Sequence, residues 1–117
     1  MKLIHKLEPL WWILFGAGGF TACFFLPALL LGVLILAPTG ALGDGLAYER
    51  AHALASSFVG KAFLGAVLIL ILWHCAHHLR HLMLDLLGHS VAAFAAFASY
   101  GLALAGTVAT VAIVAAL

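Results

Sequence analysis

The chain has 117 residues, of which 67% are hydrophobic and 8% are charged, and its mean hydropathy is +1.25. This composition lies outside the usual balance of a soluble domain and indicates an integral membrane protein. The formal charge of +1 argues against a nucleic-acid-binding surface, which would show a basic stripe of Lys and Arg. Membrane lipid, and not nucleic acid, is therefore the expected surrounding of the chain.

The first apolar segment covers about residues 10–37 and ends at a Pro-Thr-Gly sequence, which predicts a membrane-spanning helix followed by a turn. Pro27 lies inside this segment and lacks a backbone donor, so we expect a kink in the turn before it. Gly16, Gly18 and Gly19 near its start permit close approach of either another helix or a ligand.

The rest of the chain predicts two further spans and one interfacial element. A mixed polar stretch at residues 44–57 is typical of a short interfacial helix, and the later spans cover about residues 58–82 and 91–117. The expected fold is an all-α membrane protein, a single anchor domain over residues 1–117 with three transmembrane helices. Because so few helices cannot enclose a large cavity, we expect a partner or a second copy of the chain to complete any site.

The third span is dominated by Ala, Val, Leu and Gly, and this composition predicts a packing surface with no further role. Its small residues include Ala98, Gly101, Ala105 and Thr107. We expect these four residues to form the contact with a neighbouring helix.

The distribution of basic residues predicts the orientation. Lys2, Lys6 and Arg80 fall on one side of the membrane, and Arg50 and Lys61 on the other. Basic residues accumulate on the cytoplasmic side, so three against two favours a cytoplasmic N-terminus. The long stem of Lys61 is expected to reach the lipid headgroups.

Four histidines near the end of the second span share one helix face. At about 100° per residue, His74, His77, His78 and His81 fall within an arc of about 100°, and Asp85 lies on the same face. Ionisable groups at membrane depth are costly, and they usually mark a functional site. The alternative is a polar cap at the membrane surface that meets a soluble partner.

Three kinds of chemistry suit this face. One is axial ligation of a haem, which would need a histidine from a partner chain because neither the first nor the third span contains one. Another is a proton relay or a metal site. The third is a quinone site in which a histidine donates a hydrogen bond to a carbonyl oxygen and transfers a proton. Trp11, Trp12 and Phe15 begin the first span at the same membrane surface, where they would form either a wall of that site or an interfacial aromatic belt.

The sequence also resembles a known family, the D subunit of bacterial quinol:fumarate reductase. The resemblance extends over about residues 12–89 and rests on a combination of short motifs. These are Trp12-Ile13-Leu14-Phe15-Gly16-Ala17-Gly18-Gly19, Gly43-Asp44, Tyr48-Glu49-Arg50, and the cluster of His77, His81 and Asp85.

The resemblance implies a three-helix hydrophobic anchor in the bacterial inner membrane that serves anaerobic respiration. Such an anchor pairs with a second hydrophobic anchor, the C subunit, and attaches an iron–sulfur subunit and a flavoprotein subunit. The pair of anchors binds menaquinol and holds no haem, while FAD and the iron–sulfur clusters belong to the partner subunits. Two alternatives stay open, a haem-b anchor of the succinate dehydrogenase kind and an unrelated small structural or transport protein of the membrane.

The resemblance also implies roles for individual residues. Trp12, Phe15 and His77 match the positions that contact the quinone, and His78 stands where relatives usually have arginine. An arginine occurs instead at Arg80. We assign His78 to the quinone site, and Arg80 and His81 to partner docking or proton exchange. No residue of this chain is expected to act on fumarate or to bind a metal.

Overall fold

The computed structural model describes the backbone of residues 2–117 and the side chains of residues 9, 10 and 12–117. The chain forms α1 (Lys2–Leu30), a π-helical continuation (Leu31–Leu36), α2 (Tyr48–Ser56), α3 (Phe58–Leu87) and α4 (Ala92–Ala116), with short 3₁₀ turns at Gly43–Leu46 and His89–Val91. No strand occurs in this part of the chain. The predicted all-α fold, including the short helix between the first two spans, is confirmed.

Three segments are long and apolar enough to cross a membrane: Trp12–Leu36, Phe58–Leu87 and His89–Ala116. Within α3, the stretch between Lys61 and Arg80 contains no Asp, Glu, Lys or Arg. At 1.5 Å per residue this stretch is about 27 Å long, close to the thickness of the hydrocarbon core. Lys61 and Arg80 therefore bound an uncharged stretch of α3 that is long enough to cross the hydrocarbon core.

The first helix changes its geometry after Pro27, the second of its two internal prolines, and not before it. α1 stays α-helical through Pro27 to Leu30, and the Ala37 amide then donates to the Gly32 carbonyl at 2.9 Å, five residues back. Each hydrogen bond of a π turn spans five residues instead of the four of an α-helix, so the helix is locally wider. The irregularity predicted for the turn before Pro27 thus lies at Leu31–Leu36.

α3 packs against both α1 and α4 and runs antiparallel to each of them. Phe15 of α1 contacts His77 of α3, with ring centroids 4.6 Å apart, and His77 in turn contacts Tyr100 of α4. Near the opposite end, the rings of Phe25 and Phe63 meet edge to face at 5.1 Å. We call the first end, which contains His74, His77, His78 and His81, the histidine end.

α4 contacts α3 mainly through small side chains. Its buried residues recur about every four positions and are Ala95, Ser99, Ala103, Thr110 and Val114. This spacing keeps them on one helix face, and their size lets the two backbones approach closely. Gly101 and Ala105 are exposed and do not pack within this chain. Because α4 is almost uniformly apolar, its sequence does not indicate which face contacts α3.

Lys61 closes the end of the bundle opposite the histidines. Its Nζ donates to the carbonyl oxygen of Ala115 at 3.2 Å, so the cation lies against the C-terminus of α4 instead of extending only toward headgroups. The last carbonyls of a helix have no partner within the helix and carry a partial negative charge.

Lys61→Met should therefore destabilise the full chain by about 0.5–1 kcal/mol. Lys61→Arg keeps the charge and should stay near the wild-type value. The check is denaturant unfolding of the purified chain in detergent, with the loss of helix content as the measured signal. Equal stability of Lys61→Met and the wild type would show that the contact does not stabilise the bundle.

Three residues used to predict the orientation or the aromatic belt carry side chains outside the described part. They are Lys2, Lys6 and Trp11. The cytoplasmic location of the N-terminus therefore stays a prediction.

Candidate functional site

A glycine notch on α1 brings its backbone close to α3. A Cβ atom at Gly18 would overlap the Leu70 backbone carbonyl and would lie 2.7 Å from Cβ of His74. A Cβ atom at Gly19 would lie 2.7 Å from Cε1 of the His74 ring. Gly16, in contrast, has no heavy atom of the described chain within 4 Å of that position. Two of the three glycines singled out in the sequence are thus needed for helix packing.

His74 uses this notch to bind α1. Its Nδ1 donates to the carbonyl oxygen of Phe15 at 2.9 Å. A carbonyl only accepts hydrogen bonds, so this contact requires the proton on Nδ1. His74 therefore joins α1 to α3 and fixes the backbone of the residue whose ring forms the centre of the site.

The Phe15 ring contacts three of the four histidines. Its centroid is 4.5 Å from that of His74, with a nearly parallel stack, 4.6 Å from that of His77 and 5.2 Å from that of His78. The histidines also pair along α3, His74 with His78 at 4.7 Å and His77 with His81 at 4.6 Å. The predicted histidine face is thus a packed set of rings centred on Phe15.

A cavity of about 230 Å³ opens beside this set of rings. It is lined by Leu14, Phe15, Trp73, His77 and Tyr100. The Tyr100 hydroxyl lies 3.0 Å from Nδ1 of His77. Nε2 of His77 has no hydrogen-bond partner among the described residues, so this lining residue leaves one ring nitrogen available to a ligand.

The predicted quinone-binding residues are distributed unevenly around this cavity. Phe15 and His77 line it, and His78 is exposed and contacts Phe15 from outside. The side chain of Trp12 is 66% exposed and is not among the lining residues. In this chain alone, Trp12 faces outward, toward lipid or a partner.

The two residues assigned to docking or proton exchange lie nearer the helix end. His81 is exposed and contacts the His77 ring. Arg80 is half-buried, and its Nε atom is covered without a hydrogen-bond partner in the described chain.

Trp73 and Tyr100, two of the five residues that line the cavity, were not predicted from the sequence. Trp73 donates from Nε1 to Oγ1 of Thr107 at 3.1 Å, and its ring stacks on Tyr100 at 6.1 Å. The third span was expected to serve only packing, whereas its Tyr100 and Thr107 also form hydrogen bonds with residues of α3. Tyr100 and Thr107 are rare polar groups in an apolar helix, and that rarity was the signal available in the sequence.

The arrangement does not favour a metal site within this chain. No group of three His, Cys, Asp or Glu side chains in the described residues is close enough to share an ion. Three of the four histidines contact the ring of Phe15, and His81 contacts the ring of His77.

These features define a multi-pass membrane protein of three helices, with a cavity lined by aromatic side chains and His77 at one end of the bundle. Residues 3–115 match the family model for the D subunit of fumarate reductase. The chain therefore belongs to the family of fumarate reductase D subunits, whose members are membrane anchors of that enzyme.

Individual relatives agree with this assignment. The fumarate reductase D subunit of Photobacterium profundum is 43% identical over 84 residues, which is 71% of this chain and 70% of the relative. That of Vibrio cholerae is 41% identical over 97 residues, 82% of this chain and 74% of the relative. That of Vibrio vulnificus is 40% identical over 98 residues, 81% and 78% respectively.

Proposed function

We propose that this chain anchors fumarate reductase in the bacterial inner membrane and supplies one side of its menaquinol-binding site. The observation that carries the proposal is the cavity at the histidine end, where Phe15 and His77 line a space beside Tyr100. A quinol ring is flat and apolar on its faces and carries hydroxyl groups at its edge. An aromatic wall with one ring nitrogen suits both parts of such a molecule.

The size of the cavity supports a site shared with another protein chain. Complete ligand sites in proteins have volumes of roughly 300–1,000 Å³, whereas this one measures about 230 Å³. A second hydrophobic anchor, the C subunit, would cover the open side and bring the ligand against Trp12. The outward-facing indole of Trp12 and the exposed ring of His78 would then contact the head group or its margin.

His77 is the group proposed to contact the oxygen of the head group. Its Nδ1 is held by Tyr100, which leaves Nε2 to accept a proton from quinol or to donate to a quinone carbonyl. His77 lies about one helical turn before Arg80, so it sits near the end of the uncharged stretch of α3, close to the expected edge of the hydrocarbon core. This depth admits a quinol from the bilayer and still allows proton exchange with water.

The neighbouring polar residues provide an exit for that proton and a surface for partners. His81 contacts His77 and is exposed, so a proton can pass from one ring to the next and then to water. Arg80 presents a positive charge beside it, suited to an acidic surface on the iron–sulfur subunit. This assignment places the histidine end, and with it the N-terminus, on the cytoplasmic side.

The remaining cofactors belong to the partners in this proposal. Electrons would leave menaquinol for the iron–sulfur clusters of one partner and reach FAD in the flavoprotein, where fumarate becomes succinate. This chain contributes attachment, quinol binding and proton transfer.

Purification from native membranes in mild detergent tests the proposal. We expect a tagged chain to retain a flavoprotein, an iron–sulfur subunit and a second anchor, to oxidise a menaquinol analogue with fumarate, and to show no haem absorption. A haem band would instead indicate an anchor of the succinate dehydrogenase kind. Isolation of the chain without flavin or iron would contradict the proposed anchor role.

A further inference from the structure

Tyr100 brings a hydroxyl group from α4 to the histidine that the proposed function places at the quinol. The hydroxyl oxygen lies 3.0 Å from Nδ1 of His77, and both residues line the same cavity. Both side chains are half-buried, so water competes weakly for this contact.

Contacts across α3 and α4 hold the ring of Tyr100 in place. The ring stacks on Trp73 with centroids 6.1 Å apart and planes 23° from parallel. Trp73 donates to Oγ1 of Thr107, and Thr107 donates its own proton to the Ala103 carbonyl at 2.8 Å. The proton of Thr107 is thus committed to the backbone, and its oxygen is left to accept from the indole. The position of the Tyr100 hydroxyl therefore follows from the packing of the two helices.

We propose that Tyr100 is a positioning residue that keeps His77 hydrogen-bonded in every protonation state that the quinol reaction requires. The inference rests on the proposed function of His77. A hydroxyl group can both donate and accept a hydrogen bond, whereas a carbonyl or an ammonium group can do only one. Tyr100 thus accepts from Nδ1 when that nitrogen carries a proton and donates to it when it does not.

This property matches the proton movements at the site. Before oxidation, Nδ1–H donates to Tyr100 and the lone pair of Nε2 accepts from one quinol hydroxyl. As quinol gives two electrons in turn to an iron–sulfur centre of the partner subunit, both O–H bonds break. One proton forms a new N–H bond at Nε2 and the other passes to water. Nδ1–H keeps its bond to Tyr100 while His77 is charged, and His77 then releases its extra proton.

After that release, the other neutral tautomer of His77 also takes part in the reaction. With the proton on Nε2, His77 donates to a carbonyl of the quinone product, and Tyr100 donates to Nδ1. Without the hydroxyl, Nδ1 would lose its partner in each state, and a partly buried polar atom without a partner is costly. The loss affects the reacting states more than the binding of the apolar ring.

The test is Tyr100→Phe in the assembled complex, with a short-chain menaquinol analogue as donor and fumarate as acceptor. We expect kcat to fall about tenfold, as the loss of one such hydrogen bond predicts, with KM for the analogue changed less than about twofold. Tyr48→Phe, the same change at an exposed residue of α2, should leave both values unchanged. The double variant with His77→Ala should be no slower than His77→Ala alone.

A second readout does not depend on turnover. In the full chain labelled with ¹⁵N-histidine and purified in detergent, nitrogen shifts report which ring nitrogen carries the proton. We expect Tyr100→Phe to change the shifts of one histidine, the one whose signal is missing in His77→Ala. Unchanged shifts would overturn the inference even where the variant complex assembles poorly.

The outcomes separate this inference from the proposed function. If His77→Ala oxidises the analogue normally, the proposed function of His77 is wrong. If His77→Ala is slow but Tyr100→Phe keeps the wild-type kcat, only the role of Tyr100 is wrong. A raised KM at constant kcat would also overturn the inference, because it would mean that Tyr100 binds quinol directly.

Discussion

His77→Ala should slow electron transfer from a menaquinol analogue to fumarate about 100-fold in the assembled complex, since a positioned proton acceptor contributes roughly 10²–10⁴-fold to a rate. The variant removes both the imidazole nitrogen Nε2, which has no partner among the described residues, and part of the cavity wall. Without it, the quinol proton must pass to water that enters the site. The measurement is quinol oxidation at saturating fumarate, normalised to the flavin that co-purifies.

A matched control separates this effect from assembly. His89 lies at the same end of the bundle, in the turn between α3 and α4, and is exposed. His89→Ala should retain the wild-type rate and the same amount of bound flavin. Reduction of fumarate by an artificial dye that bypasses quinol should be normal in both variants. If His77→Ala matches His89→Ala in quinol oxidation, the histidine has no role in that step.

The position of His77 shows how much of the site could be predicted from the sequence. The spacing of the histidines fixes their common face, because helix geometry depends only on residue number. The pairing of this face with Phe15 follows from two antiparallel spans, each of which must cross the same thickness of lipid. Both results could be predicted from a single sequence.

The contribution of α4 could not be predicted in the same way. An almost uniformly apolar helix gives no hydrophobic face, so its rotation about its own axis is decided by the fit of small residues against α3. That fit buries Ser99 and Ala103 and turns Tyr100 toward His77. The contact depends on side-chain packing between two helices, and neither helix alone specifies it.

The outward position of Trp12 has a similar cause. A tryptophan at the start of a span suits the membrane interface, a lipid contact or a partner equally well, because its ring is apolar and its N–H is polar. In this chain it projects away from the cavity, with 66% of its surface exposed. Its role in the quinol site therefore depends on a neighbouring protein chain, which a single sequence does not contain.

Gly18→Ala should destabilise the full chain by about 1–3 kcal/mol, the usual cost of adding a methyl group to a closely packed contact. The new Cβ would overlap the backbone carbonyl of Leu70, which cannot turn away as the end of a long side chain can. α1 must then move away from α3 and weaken the bond between His74 and the Phe15 carbonyl. The same displacement would separate Phe15 from His77, so quinol oxidation should fall together with stability.

Gly16→Ala is the control for this prediction, because it makes the same change two residues away where no described atom lies within 4 Å. Alanine has a higher helix propensity than glycine by about 1 kcal/mol, so this variant should be as stable as the wild type or slightly more stable. Denaturant unfolding of the purified chain in detergent micelles gives both values. Equal stability of the two variants would contradict close packing at Gly18. A loss of stability in Gly18→Ala alone would support a close glycine contact between α1 and α3, the contact that holds Phe15 beside the histidines.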